Sequence, residues 1–255
     1  MDWIRKPLCG SPVAACAIAA DKTLCKRFMT ALGVPTPPAR VCRPGSTVPW
    51  HGPVIVKPPA GGSSVGMSLV HEPAALPTAL DAAWSVDPSP ALVEDYIQGA
   101  PVTVGLLELP DGLLVLPLPP VATLVRSGAE FYDAAVKLDA AAQAPVTLER
   151  AEFPAPVPET LMLQSRRLWD GLGCHGAIRV DFIVTEAGQA YALEVNTTPG
   201  LSRESNFLTA ARWCGLDLKQ VVLAMMHEAL SRPAYDVPLP VPALAGTAAL
   251  YPPAA

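Results

Sequence analysis

Ile178-Arg179-Val180-Asp181-Phe182 and Leu193-Glu194-Val195-Asn196 are the two segments of this chain best equipped for chemistry. Polar and apolar residues alternate along each, the pattern of a strand with one buried face. Glu186-Ala187-Gly188-Gln189 between them reads as a tight hairpin turn. Centred on Ala187-Gly188, that turn predicts Asp181 opposite Glu194 and Arg179 opposite Asn196. Directly opposed residues share a face, so all four polar groups should project from one patch of sheet. Two opposed carboxylates repel unless a cation lies between them. Two carboxylates and an amide offer only oxygen, which suits a hard divalent ion: Mg²⁺, with Mn²⁺ as its substitute. The bland alternative is a solvated hairpin carrying incidental charge.

The elements that must position this hairpin follow from punctuation and periodicity. Ser11-Pro12 reads as a helix start and Gly33 as its end, with Val13, Ala17, Leu24, Phe28 and Leu32 as the apolar stripe. Val54-Ile55-Val56-Lys57 is a short apolar strand ending on a lysine. A glycine- and serine-rich loop follows from Pro58 to Gly66, and Met67 to His71 resumes as strand. Pro73 to Trp84 reads as helix and Ala91 to Ile97 as strand, with a break at Gln98-Gly99. Strands at 102–109 and 113–118 should form a hairpin across Pro110-Asp111-Gly112. Residues 119–150 lack periodicity and are expected to include a long active-site loop. Helices are expected over 158–172, ended by Gly173, and over 216–230. The proline-rich stretch after Arg232 reads as an extended tail.

Bulk properties exclude several classes. The chain has 255 residues, enough for one large domain or two lobes. A net charge of −5 with no basic run argues against nucleic acid as partner. No apolar run approaches the roughly 18 residues of a membrane span, and Met1 to Lys6 does not begin a signal peptide, so a cytoplasmic protein is expected. The six cysteines form no C-x-x-C pair and read as small buried apolar residues. The four histidines fall at no zinc-ligand spacing.

Gly61-Gly62-Ser63-Ser64-Val65-Gly66 can fold its backbone N–H groups and hydroxyls over phosphate oxygens. Lys57 before it and Lys22 upstream add positive charge. Neither the P-loop pattern nor G-x-G-x-x-G is present.

Taken together, these segments resemble the ATP-grasp superfamily and, within it, the D-alanine–D-alanine ligase group. The matching stretches are Ala20-Asp21-Lys22, Val56-Lys57-Pro58, Gly62 to Ser68, Val93 to Ile97, Glu130-Phe131-Tyr132-Asp133 and Arg179 to Ser205, in the family's order. The resemblance implies an α+β fold of two lobes enclosing a nucleotide cleft. It divides the chain into an N-terminal stub and helix (1–33), a smaller lobe with the phosphate loop (34–98), a C-terminal lobe with the metal hairpin (99–231) and the tail (232–255). The implied activity is ATP-dependent: a carboxylate becomes an acyl phosphate, and an amine attacks it.

Site roles implied by the resemblance carry over by position. Lys22, Lys57 and Lys137 resemble the lysines that hold ATP phosphates, with Ser63 and Ser64 in the loop closing over them. Glu94 with the Tyr96 and Ile97 backbone resembles the adenine hinge. Asp181, Glu194 and Asn196 match the metal ligands. Arg179 and the Gly200 N–H resemble the pair stabilising a tetrahedral oxyanion. Ser205 sits where the family binds the second amino acid's carboxylate, and Arg203 and Arg126 are candidates for gripping an acidic group.

The chain also departs from the family pattern. The family opens with a separate domain that helps bind the first amino acid, whereas ten residues precede Ser11 here; a homodimer or partner chain is then expected to supply that wall. Leu138 stands where a tyrosine is expected, and Pro101 where an acid should hold the ribose. The expectation is therefore a specialised amide- or peptide-forming ligase acting on an amino acid or peptide-like substrate. The rival readings are a non-catalytic ATP-binding module and a phosphotransferase that stops at the acyl phosphate. Retention of Arg179 favours an enzyme, since binding ATP needs no oxyanion group.

Overall fold

A computed structural model describes residues 6–62, 64–109, 115–117, 119–125 and 146–232. Ser63, Arg126, the 130–133 stretch, Lys137, Leu138 and the tail beyond Arg232 lie outside the described residues.

The first helix of the sequence reading is two. Helix α1 spans Val13–Ala20 and α2 spans Lys22–Ala31. Asp21 between them is extended (φ −96°, ψ 108°), and its side chain accepts from the Thr23 and Leu24 N–H groups. An aspartate that can cap a helix start breaks the run where periodicity alone continued it. Pro12, rather than Ser11, flanks α1, and the Ser11 hydroxyl instead bonds the His175 backbone. The expected stripe is also rotated: Val13, Leu24 and Phe28 are exposed, while α2 buries Lys22, Cys25, Lys26 and Met29. That spacing of i, i+3, i+4 and i+7 is one helix face, and two of its four positions are lysines.

A four-stranded antiparallel sheet has the order β1-β4-β2-β3, from β1 (Ala39–Cys42), β2 (Val54–Lys57), β3 (Ser68–Val70) and β4 (Ala91–Asp95). A 3₁₀ turn at Pro73–Ala75 leads into α3 (Leu76–Val86). Leu76, Ala79, Leu80 and Ala83 of α3 pack on Val54, Val56 and Val93 to form the core of this lobe.

The larger sheet runs β10-β9-β5-β7-β8, with β6 also paired to β5. Its strands are β5 (Ala100–Glu108), β6 (Val115–Pro117), β7 (Val121–Val125), β8 (Val146–Arg150), β9 (Ala177–Val184) and β10 (Ala190–Asn196). Strands β7 and β8 lie within the 119–150 stretch read as aperiodic. One face of this sheet, with Val102, Val104, Ile178, Val180 and Phe182, is buried under α1, α2 and α4 (Val157–Leu172). At one end of the opposite face, Leu107, Val121 and Ala177 are covered by α5 (Asn206–Trp213) and α6 (Leu218–Ser231). The sequence reading missed α5. The rest of that face carries Arg179 and Asp181, both partly exposed, with Thr103 buried beside them.

Full burial of one large apolar side chain is worth roughly 1.5–3 kcal/mol. Phe182 and Phe207, each 1 % exposed, anchor the two sides of the sheet. Of the cysteines, Cys25, Cys42 and Cys174 are buried as expected, whereas Cys9 and Cys214 are exposed. Burial pushes the Cys25 thiol up to about 11 and the Cys174 thiol to about 12, so neither is a ready nucleophile.

Candidate active site

The β9–β10 hairpin has the expected register by an unexpected route. Thr185 and Gln189 close a three-residue loop: the Gly188 N–H donates to Thr185 O at 2.9 Å and the Thr185 N–H to Gln189 O at 3.0 Å. Gly188 takes φ +78°, the left-handed conformation that ends such a loop. This loop pairs Ala190 with Val184 and Ala192 with Phe182, one residue out of step with a two-residue turn. A bulge between Ala192 and Glu194 then restores the step, so Glu194 pairs with Asp181 and Asn196 with Arg179. Without it, Glu194 would share the buried face with Ala192. The extra residue, Leu193, turns Glu194 outward, the re-aiming for which bulges next to active sites are known.

Strand β5 extends this row, since Thr103 pairs with Asp181 from the other side. The Thr103 hydroxyl donates to Asp181 Oδ1 at 2.8 Å. Asn206 Nδ2, from the start of α5, donates to the oxygens of Thr103 (3.0 Å) and Thr123 (3.3 Å). The Asn206 bond occupies a Thr103 lone pair and leaves that hydroxyl's single proton for Asp181. Arg179 Nη2 lies 2.8 Å from Asp181 Oδ2 and 3.9 Å from Glu194 Oε1. A cation thus sits against the opposed carboxylates, as their mutual repulsion requires. Asn196 Oδ1 accepts from the Thr198 N–H at 2.9 Å, which fixes the amide and leaves a second lone pair on that oxygen.

A second charged group is built where α2 meets the smaller sheet. Glu94, 3 % exposed, holds Lys26 at 2.7 Å and Lys57 at 2.6 Å, one on each carboxylate oxygen. Burial pushes the Glu94 carboxyl up, but the ammonium groups of Lys57 and Lys26 outweigh it and leave the group below the usual glutamate value. Burial lowers Lys22 and Lys26. Lys26 also donates to the Thr36 hydroxyl at 2.7 Å. Lys22, at the first position of α2, donates to Gly61 O at 2.7 Å and so reaches the glycine loop.

Thr103, Arg179, Asp181, Glu194 and Asn196 from the larger sheet and Lys22, Lys57 and Glu94 from the second group line one cleft of roughly 720 Å³ between the two sheets. Among the residues singled out from sequence, Lys22, Lys57, Ser64, Glu94, Tyr96, Ile97, Arg179, Asp181, Glu194 and Asn196 all face it. The Tyr96 N–H is already spent on Pro53 O at 2.9 Å. Glu94 reaches the cleft beside Tyr96 and Ile97 and is also the counter-ion of two lysines.

Three assigned residues fall outside the cleft wall. Gly200 is exposed beyond it. Ser205 caps α5, its side chain accepting from the Leu208 N–H. Arg203 is exposed in a separate shallow depression beside Arg212, Asp217 and Lys219. Lys26, Thr103, Thr123 and Asn206 were missed from sequence. Lys26 had a signal, since it follows Lys22 by four residues on one helix face. Thr103 and Asn206 had none, because strand β5 and helix α5 reach the hairpin only through tertiary contact.

Residues 47–227 match the family model described as the D-ala D-ala ligase C-terminus. The chain is 39% identical over 226 residues to a D-alanine–D-alanine ligase of Syntrophotalea carbinolica, covering 85% of this chain and 68% of that one. It is 35% identical over 238 residues to a D-alanine–D-alanine ligase of Gloeobacter violaceus, covering 90% and 76%. The crystal structure of D-alanine–D-alanine ligase from Bacillus anthracis superposes with a TM-score of 0.74 at 25% identity, over 90% of this chain and 73% of that one.

Two antiparallel sheets with helices around a charged cleft are thus the α+β architecture of an ATP-grasp protein, an ATP-dependent ligase that makes carbon–nitrogen bonds. The chain belongs to the D-alanine–D-alanine ligase family. No helix among the described residues is long and apolar enough to cross a membrane.

Proposed function

We propose that the protein uses ATP to phosphorylate the carboxylate of a small amino acid and transfers the acyl group to the amine of a second amino acid or peptide-like substrate. ADP and phosphate leave. The observation that carries this reading is the opposition of Asp181 and Glu194 on the sheet face lining the cleft, with the Arg179 guanidinium against them. Asp181, Glu194 and Asn196 offer the all-oxygen donor set of a Mg²⁺ site. When bound, that ion would neutralise triphosphate charge, which is most of what phosphoryl transfer asks of a protein.

The chain's own residues do the rest by position. Lys22 and Lys57 supply positive charge where the glycine loop, with Ser64, can close over phosphates. Glu94 keeps Lys57 in place and sets the net charge of that group. Arg179 stands one row from Asp181 on the same face, where it can stabilise the oxyanion formed as the amine adds. An enzyme that consumes ATP in this way belongs in the cytoplasm, where ATP is regenerated.

The relatives' activity makes D-alanine the first substrate to test, as both acid and amine. The test is ADP release from ATP and Mg²⁺ with D-alanine and then with a panel of amino acids, with and without hydroxylamine. Hydroxamate formation shows an activated carboxylate, and a dipeptide in its absence shows the complete reaction. In Glu194→Ala both should vanish. ADP release at the wild-type rate in that variant would refute the metal assignment.

A further inference from the structure

A second polar cluster lies away from the cleft, at the far end of the larger sheet. Glu108 ends β5, His175 precedes β9, and Glu228 stands on the last turn of α6. One ligand atom from each lies within 4.8 Å of the other two. His175 Nδ1 is 3.1 Å from Glu108 Oε2 and 3.5 Å from Glu228 Oε1. A tetrahedral ion bound at about 2.0–2.1 Å by such ligands sets them about 3.4 Å apart, between these two separations.

The surroundings favour an ion. Glu228 is 1 % exposed, and its Oε2 has no hydrogen-bond partner among the described residues. Its Oε1 lies 2.6 Å from Arg232 Nε, so that cation offsets one carboxylate of the two. Glu108 is positioned separately by the Gly176 N–H at 2.9 Å. Gly176 takes φ +72°, and a Cβ there would meet the Gly10 backbone at 3.2 Å, so the two glycines keep a wall of the cluster free of side chains. The half-exposed His175 leaves one side open to solvent.

We propose that Glu108, His175 and Glu228 form a site for a divalent transition ion of the zinc class, distinct from the cleft carboxylates. One imidazole and two carboxylates suit such an ion, and a water would complete the tetrahedron. Its effect is structural. It would staple α6 to the ends of β5 and β9, where Arg232 already grips the backbone oxygens of Leu8 and Gly10.

The experiment uses the full chain, stripped with chelator and kept in excess Mg²⁺ so that the cleft carboxylates are occupied. Zn²⁺ should bind at one equivalent and, at a hundredfold excess over its dissociation constant, raise Tm by roughly 5–10 °C. His175→Gln should lose that increment, whereas Glu194→Ala should keep it. Co²⁺ in place of Zn²⁺ should give visible absorption bands that disappear in His175→Gln. Absence of a Zn²⁺ shift, or an equal shift in wild type and His175→Gln, would overturn the site and leave the cluster as a histidine–carboxylate ion network. Because none of these readouts is turnover, failure here is separable from failure of the ligase assignment.

Discussion

Thr103 and Asp181 face each other across β5 and β9, and the threonine hydroxyl donates to Asp181 Oδ1 at 2.8 Å. The bond sets the plane of the carboxylate, and Asn206 sets the direction of the bond by occupying a Thr103 lone pair. Three elements distant in sequence therefore orient one oxygen pair, while its partner Glu194 is oriented by the bulge at Leu193. The two halves of the proposed metal site are aimed by different devices and are joined by Arg179, whose Nη2 lies against both carboxylates.

Thr103→Val keeps shape and volume but removes the donor. Loss of such an outer-shell partner typically costs 10–100-fold in metal affinity or activity. The expected outcome is a rise of that order in the Mg²⁺ concentration for half-maximal ADP release, with the KM for ATP little changed at saturating Mg²⁺. Asn206→Asp should be worse than Asn206→Ala, since a carboxylate there competes for the Thr103 proton. An unchanged Mg²⁺ dependence in Thr103→Val would remove the hydroxyl from the site.

Glu94→Gln leaves Lys26 and Lys57 buried side by side without a counter-ion. Breaking a buried pair by removing one partner costs about 3–5 kcal/mol. A urea-denaturation midpoint should show a loss in that range. Adding Lys26→Met should restore part of it by removing one of the two stranded charges. If Glu94→Gln proves neutral, the carboxylate is not what holds these lysines.

The same group sets an acid limit. Its folded pKa lies below the ordinary value of 4.5, so its contribution to stability is complete above the unfolded value and is lost as pH falls through the lower, folded one. The stability gap between wild type and Glu94→Gln should be constant from pH 7 to about 5 and close below 4.5. A gap that widened on acidification would show that the folded pKa is raised.

Local pattern carried much of this protein. The apolar strand at 54–57, the strand expected over 91–97 and observed over 91–95, the helix expected over 158–172 and observed over 157–172, and the opposition of Asp181 and Glu194 follow from hydrophobic pattern and turn residues. What escaped depends on distance or on competition. Asp21 split a helix because its side chain caps better than it propagates. The apolar stripe of α2 was misplaced because its buried face holds Lys22 and Lys26, kept there by Gly61 O and Glu94 from another lobe. Among the described residues, β7 pairs with β5 and β8 and β8 with β7, and their sequences show no clear period. Thr103 and Asn206 are site residues only because β5 and α5 pack beside the hairpin in the folded chain.

The hairpin supplies the most discriminating test of how register and site are linked. The two-residue turn read from sequence and the real combination of three-residue loop and bulge give the same opposition of Asp181 and Glu194. They differ at Leu193, which is surplus to the ladder only in the bulged arrangement. Deleting Leu193 should therefore leave Ala192 opposite Phe182 and Glu194 opposite Asp181, and convert the bulge to regular pairing. The deletion variant should fold, with a Tm drop of only a few degrees, and retain Mg²⁺-dependent ADP release, with any loss confined to the cleft surface that Leu193 lines. In a ladder without a bulge, the same deletion would swing Glu194 to the opposite face and abolish Mg²⁺ dependence outright. A folded but Mg²⁺-independent deletion variant would therefore sink the claim that the bulge aims Glu194.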